Sequence, residues 1–233
     1  RTSDSVLVVC HDRTIDRTTS GRGLIAEITY DSIRRVNLRA GQNAVTHWKV
    51  PTLEEALILC KDKIVVNIDK GFQYYGLIHP LLEKYGMLEQ VLIKSNATAD
   101  RAAATFSKYD GNCLFMPIVN FGKKSYRKIL ESYERLKYPL LAYEICWSEY
   151  TPEVETCMRE VIAGGSKLWV NSLWPSLNGG LCDDAAVEGD PAEVYGKLVD
   201  MGATMIQTDR PELLISYLRA RGLHDLSLIH ISE

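Results

Sequence analysis

Apolar and polar positions along this chain follow two alternating rhythms. Past residue 50, short β-branched apolar runs read as strands: IVVNID (64–69), QVLIKS (90–95), CLFMPIV (113–119), LLAYEIC (140–146), KLWVNS (167–172) and TMIQTD (204–209). Longer amphipathic stretches between and after them predict helices over 52–61, 75–86, 97–109, 125–136, 152–165, 190–202 and 211–222. Pro152, Pro191 and Pro211 stand near helix starts, and Gly202 and Gly222 stand where helices end. Such alternation predicts a parallel sheet with helical crossovers. Strand starts recur about every 25 residues, with a longer last interval that holds the loop NGGLCDDAAVEGD (178–190). The spacing suits a doubly wound sheet or a (β/α)8 barrel.

Strand polarity favours the barrel. On alternate positions, Asn67 pairs with Asp69, Leu92 with Lys94, Ala142 with Glu144, Trp169 with Asn171 and Gln207 with Asp209. Polar groups thus gather on one parity near the C-terminal strand ends, where barrel active sites lie. A single strand-end Asp or Asn is an ordinary helix cap or turn former, so the recurrence carries the argument. Glu144, deep in its strand, requires either a buried partner or a function, because an unpaired core carboxylate costs several kcal/mol. Trp169 reads equally as barrel filling or as a wall for substrate. A glycine-rich turn after the first strand, the mark of a dinucleotide fold, is absent.

Composition narrows the field of partners. The 233 residues are 46% hydrophobic and 24% charged, enough for one large core. Lys plus Arg number 27 against 30 Asp plus Glu, with no basic stripe to attract nucleic acid. No apolar run reaches the roughly 18–20 residues that cross a bilayer, and RTSDS at the start lacks a signal peptide's pattern. The six cysteines, Cys10, Cys60, Cys113, Cys146, Cys157 and Cys182, are scattered singly and read as small buried hydrophobes. They leave the compartment open between cytoplasmic and periplasmic or secreted, and nothing here sets an oligomeric state.

The candidate chemistry begins at residue 11. The apolar run 6–10 reads as a buried, hairpin-like strand that presents His11-Asp12, followed by Asp16-Arg17-Thr18-Thr19 and Gly21-Arg22-Gly23. This pattern resembles the glycerophosphodiester phosphodiesterase family, and VPTLEEAL (50–57), VNIDK (66–70), LWVNS (168–172) and MIQTDRPELLISYLRARGLH (205–224) resemble its later blocks in the same order. The resemblance implies a (β/α)8 TIM barrel that hydrolyses small glycerophosphodiesters to glycerol phosphate and an alcohol. It implies a divalent cation, calcium or magnesium, and a pair of histidines acting as general acid and base. Phosphodiester cleavage needs charge neutralisation and proton transfer to a poor leaving group, and imidazole can carry the proton near neutrality.

By that resemblance His11 is the general acid toward the leaving alcohol, Asp12 orients it or caps the following turn, and Asp69 is a metal ligand. Lys70 follows Asp69 directly, whereas the family's lysine comes one residue later. A strand running on through residue 70 would turn that side chain outward, so Lys94 is expected to contact phosphate. Glu144, Trp169 and Asn171 complete the expected substrate-binding set.

The same resemblance places a family strand ending in His-Arg-Gly, a helix and a second strand ending in Glu-x-Asp ahead of the matched segment. The expectation is therefore an α/β barrel domain over 1–225 without its first strand, first helix and most of its second strand, inert by itself. Residues 226–233, LSLIHISE, resemble a translated transposon-end adapter and are expected to stand outside the folded unit, leaving His230 without a role. The alternatives are a related barrel acting on lysophospholipids or phosphoinositides, and a barrel that only binds a phosphorylated ligand.

Overall fold

A computed structural model describes residues 1–135 and 140–224, so the last residue of the expected 125–136 helix, residue 225 and the adapter-like tail 226–233 lie outside the described residues. The chain divides into two compact units, Arg1–Val91 and Leu92–Glu233.

The first unit is built mostly from turns. Its elements are α1 (Tyr30–Ile33), α2 (Leu53–Cys60), β1 (Val66–Ile68) and α3 (Tyr75–Tyr85), with single 3-10 turns at Ile25–Glu27, Gly41–Asn43 and Phe72–Tyr74. A small core of Ile15, Ile25, Ile33 and Val50 takes Val8, Cys10, Ile28, Val36 and Leu38 against it. Residues 6–10 do not form the buried strand expected. They make an extended strap with one antiparallel bridge, Val8 to Thr52, closed by hydrogen bonds from Val9 N to Pro51 O and from Leu53 N to Leu7 O. Alternation explains the difference: Val8 and Cys10 face the small core while Val9 is 48% exposed. The TLEE start of α2 forms a capping box, in which Thr52 Oγ1 accepts from Glu55 N at 3.0 Å and Glu55 Oε2 accepts from Thr52 N at 2.8 Å.

The second unit carries all but the first residue of β2 (Val91–Ser95), then α4 (Ala99–Phe106), β3 (Leu114–Asn120), α5 (Tyr126–Glu134), β4 (Ala142–Cys146) and α6 (Pro152–Ala163). It continues through β5 (Lys167–Asn171), α7 (Pro175–Asn178), α8 (Asp183–Glu188), a π-helical turn (Ala192–Gly196) running into α9 (Lys197–Asp200), β6 (Met205–Gln207) and α10 (Pro211–Ala220). The segment 178–190, expected as a loop, thus contains α8. Neighbouring strands from β2 to β6 pair in parallel and in chain order. A doubly wound sheet would reverse its order at a switch point, and this run of five does not; it is a stretch of (β/α) barrel.

Parity divides the side chains of the five strands. Val119, Ile145, Leu168 and Val170 pack under helices against Val154, Met158, Val161 and Leu198. The opposite parity forms a second cluster of Leu92, Met116 and Ala142 with Leu114, Trp169 and Met205. The polar residues of interest sit on this second parity, one layer nearer the C-terminal strand ends.

Candidate functional site

In the first unit the motif residues fold back on themselves. Thr14 bridges Leu24, and Ile15 N donates to Gly23 O at 3.1 Å. Buried Thr19 pins the turn, its hydroxyl donating to Ile15 O at 2.7 Å and accepting from Gly21 N at 3.1 Å. Gly23 takes φ +120°, and a Cβ at Gly21 would lie 2.6 Å from Val36 Cγ1, so both glycines are needed for this fold-back.

The turn delivers a chain of polar contacts around His11. Its Nδ1 lies 2.7 Å from Asp12 Oδ1, and Arg17 donates to Asp12 twice, Nε to Oδ2 at 2.6 Å and Nη2 to Oδ1 at 3.0 Å. The Arg17 hydrogen bonds, then that of His11, hold the Asp12 carboxyl far below the usual carboxylate range. Asp12 is therefore an anion that accepts the Nδ1 proton. On the other side of the ring, Lys70 Nζ lies 3.2 Å from Nε2 and donates to the His11 carbonyl at 2.8 Å. The strand expected over 64–69 ends at Ile68 and so does not run on through residue 70. Lys70 turns into the left-handed region at φ +57°, so the outward direction of a strand residue does not apply to it.

Asp69 is exposed, and Asn67, two residues earlier, keeps a buried Oδ1 with no hydrogen-bond partner among the described residues. Both are hard oxygen donors of the kind calcium or magnesium takes. Among the described residues, however, no group of three or more His, Cys, Asp or Glu side chains gathers to hold a metal. One carboxylate and one amide oxygen fall short of the six or more donors calcium takes, so these residues do not by themselves fit the ion.

In the second unit the strand parity read from the sequence converges. Lys94 Nζ lies 3.0 Å from Glu144 Oε2 and donates to Gln207 Oε1 at 3.2 Å. It also lies 5.7 Å from the Trp169 ring centroid. Asn171 Nδ2 donates to Glu144 Oε1 at 2.5 Å, and the Cys146 thiol reaches the same oxygen at 3.8 Å. Register explains the meeting: Glu144 pairs with Trp169, Asn171 with Gln207, and Lys94 stands two strands away on the same parity. Burial, then the adjacent Glu144 charge, pushes the Cys146 thiol well up, leaving it a neutral donor. Thus Lys94, Glu144, Trp169 and Asn171 come together, and Lys94 already has a counter-charge. Trp169 Nε1 is buried with no partner among the described residues.

Two participants were not singled out by sequence reasoning, and Lys70 was weighed there and set aside in favour of Lys94. Gln207 had a signal only as a parity match. Asp183 had none, lying within a loop-like segment, yet its buried carboxylate gathers the ends of β5 and β6. Its Oδ1 accepts from Ser172 Oγ at 2.6 Å, Thr208 Oγ1 at 2.8 Å and Tyr195 OH at 3.0 Å, and its Oδ2 accepts from Asp209 N at 2.7 Å. Burial first, with the hydrogen bond to Asp183 adding, raises the Tyr195 phenol to about 12, so it stays a donor at neutral pH.

Comparison with known proteins bears on both units. Residues 1–112 match the model of the glycerophosphoryl diester phosphodiesterase family, and residues 115–218 match one described as a domain of unknown function. Glycerophosphodiester phosphodiesterase 1 of Homo sapiens is 42% identical over 85 residues, 35% of this chain and 25% of that protein. A glycerophosphodiester phosphodiesterase of Caldanaerobacter subterraneus subsp. tengcongensis is 36% identical over 103 residues, 40% of this chain and 42% of its own length. The chain therefore spans a quarter to two-fifths of these relatives. Among solved structures, a glycerophosphoryl diester phosphodiesterase from Parabacteroides distasonis superposes with TM-score 0.74 at 23% identity, over 100% of this chain and 75% of that one. An Oleispira antarctica phosphodiesterase, solved in complex with the product sn-glycerol-3-phosphate, gives 0.65 at 17% identity over 94% and 81%. At such identities the likeness is one of fold, and it agrees with the barrel stretch seen here.

Proposed function

From the match of residues 1–112 to the glycerophosphoryl diester phosphodiesterase family, we propose that the chain serves the hydrolysis of a small glycerophosphodiester to glycerol phosphate and an alcohol. Water adds its oxygen to phosphorus and releases a proton to solvent, the bond from phosphorus to the alcohol oxygen breaks, and the departing alkoxide takes a proton. We assign His11 as the general acid that supplies it, oriented through Nδ1 by Asp12, which Arg17 holds as an anion. The observation that carries this reading is the His11 ring set between that carboxylate and the Lys70 ammonium, in the segment that matches the family. Lys70 is exposed and can pair with a phosphoryl oxygen, whereas the charge of Lys94 is already met by Glu144.

Lys94, Glu144, Trp169 and Asn171 are proposed to act as a substrate-binding set, with Asn171 and Gln207 fixing the carboxylate and ammonium. A divalent ion, calcium or magnesium, would neutralise phosphoryl charge, and Asp69 and Asn67 are the oxygens this chain offers it. Since those two do not make up a site, no step is derived through the ion.

The test is release of glycerol phosphate from glycerophosphocholine and glycerophosphoethanolamine, with and without chelator. Turnover of either that is lost in a His11→Ala variant supports the assignment. Turnover unchanged in that variant removes His11 from the chemistry, and cleavage of other phosphodiesters with neither of these two cleaved overturns the substrate class.

A further inference from the structure

We propose that Lys70 is a positioning residue for His11, its ammonium capping the Nε2 lone pair until an anionic phosphoryl oxygen draws it away. The inference rests on the reading of His11 as a proton donor, and it concerns the state of the ring before substrate arrives.

The geometry has two parts. One ammonium spans both ends of the same residue, meeting ring Nε2 at 3.2 Å and donating to the backbone carbonyl at 2.8 Å, which fixes the side-chain torsions of His11 as well as its ring. An ammonium has only donors, so Nε2 is the acceptor in this contact, and Asp12 takes the proton of Nδ1. The ring is thereby held from both sides as the Nδ1–H tautomer. Charged groups in contact with His11 are Asp12, itself bound by Arg17, and Lys70.

The second part is the turn that aims the lysine. Gly71 N donates to Ile68 O at 3.2 Å, closing a tight turn whose central residues are Asp69 and Lys70, the latter at φ +57°. A Cβ at Gly71 would lie 2.9 Å from Ile68 Cγ2 and 3.0 Å from Ile68 O, so the turn requires glycine there. A general acid must carry its proton on the nitrogen facing the leaving group. While Lys70 donates to Nε2, that nitrogen has no place for a proton. Once the ammonium is drawn away, Nε2 can take one from solvent, and the imidazolium so formed keeps Nδ1–H on Asp12 and presents Nε2–H to the leaving group. A phosphodiester oxygen, negatively charged, is the group that competes for the ammonium.

The experiment is nitrogen NMR on protein labelled at histidine, at a pH where the imidazole is neutral, with exposed His47 as internal reference. Lys70→Met and Lys70→Gln should move the His11 Nε2 resonance toward that of a free acceptor while Nδ1 stays protonated on Asp12, and Lys70→Arg should hold the wild-type position. Identical Nε2 positions in wild type and both neutral variants overturn the cap. Inorganic phosphate should then move wild-type Nε2 toward the Lys70→Met position, with phosphorus line broadening reporting binding separately. Broadening with Nε2 unmoved overturns the displacement. Absence of broadening overturns displacement together with the proposed phosphate recognition, while the cap is decided by the variants alone.

Discussion

Lys94 and Glu144 face each other across the inner parity of the sheet at 3.0 Å, with only 7% and 6% of their side chains exposed. Two charges so deep in a core are tolerated because each has further partners, Gln207 for the ammonium and Asn171 for the carboxylate. Removing one partner strands the other without solvent. Glu144→Leu should therefore lower stability by about 3–5 kcal/mol, whereas Lys94→Met with Glu144→Leu should recover most of that loss. Denaturant titration of the two variants and the wild type checks this; additive losses in the double variant would show that the pair is not coupled.

Asp183 offers a different kind of test, since its four donors among the described residues include no cation. Asp183→Asn keeps the shape but sets an amide NH2 among donors, whichever way the amide is turned. The expected loss is about 1–3 kcal/mol for the unsatisfied group. Thermal unfolding should register it, and an unchanged melting temperature would mean that the strand ends do not depend on this carboxylate.

His11 is 61% exposed, so replacing it should leave the fold intact. His11→Ala is expected to reduce turnover of the glycerophosphodiester roughly a hundredfold to ten-thousandfold, the range for loss of a general acid or base. Initial rates at saturating substrate, with circular dichroism as the control for folding, measure this directly.

Asp12 sets a prediction in pH. Hydrogen bonds from Arg17, then from His11, depress its folded value far below that of an unfolded Asp. A depressed carboxylate contributes stability above the unfolded Asp range, near 3.9, and loses it as pH falls toward the folded value. Asp12→Asn should accordingly flatten part of the acid-side slope of stability and leave the neutral plateau parallel to that of wild type. Denaturation midpoints taken across the acid range decide this. A slope identical in the two proteins would show that the Arg17 contact is not kept in solution.

What the sequence determined by itself is the part written in local periodicity. Short β-branched apolar runs marked the cores of β1 to β6, and the amphipathic stretch 52–61 marked α2. The shared parity of Lys94, Glu144, Asn171 and Gln207 was legible for the same reason: side-chain direction along a strand depends only on position within it. His11 and its glycine-bearing turn were legible as a motif.

Tertiary structure alone decided which of those residues meet. Lys94 and Gln207 are 113 positions apart, and their contact depends on the register of four successive strand pairings, which no local window contains. Lys70 reaches His11 across 59 positions because the strand before it ends at Ile68 and the chain turns left-handed, a choice made by the tight turn at Gly71. Asp183 gained its place through donors just past the ends of β5 and β6 and from the π-helical turn, 11 to 26 positions away. Periodicity is a property of the backbone at each residue, while the identity of a polar partner depends on which non-local elements are brought together when the core is buried.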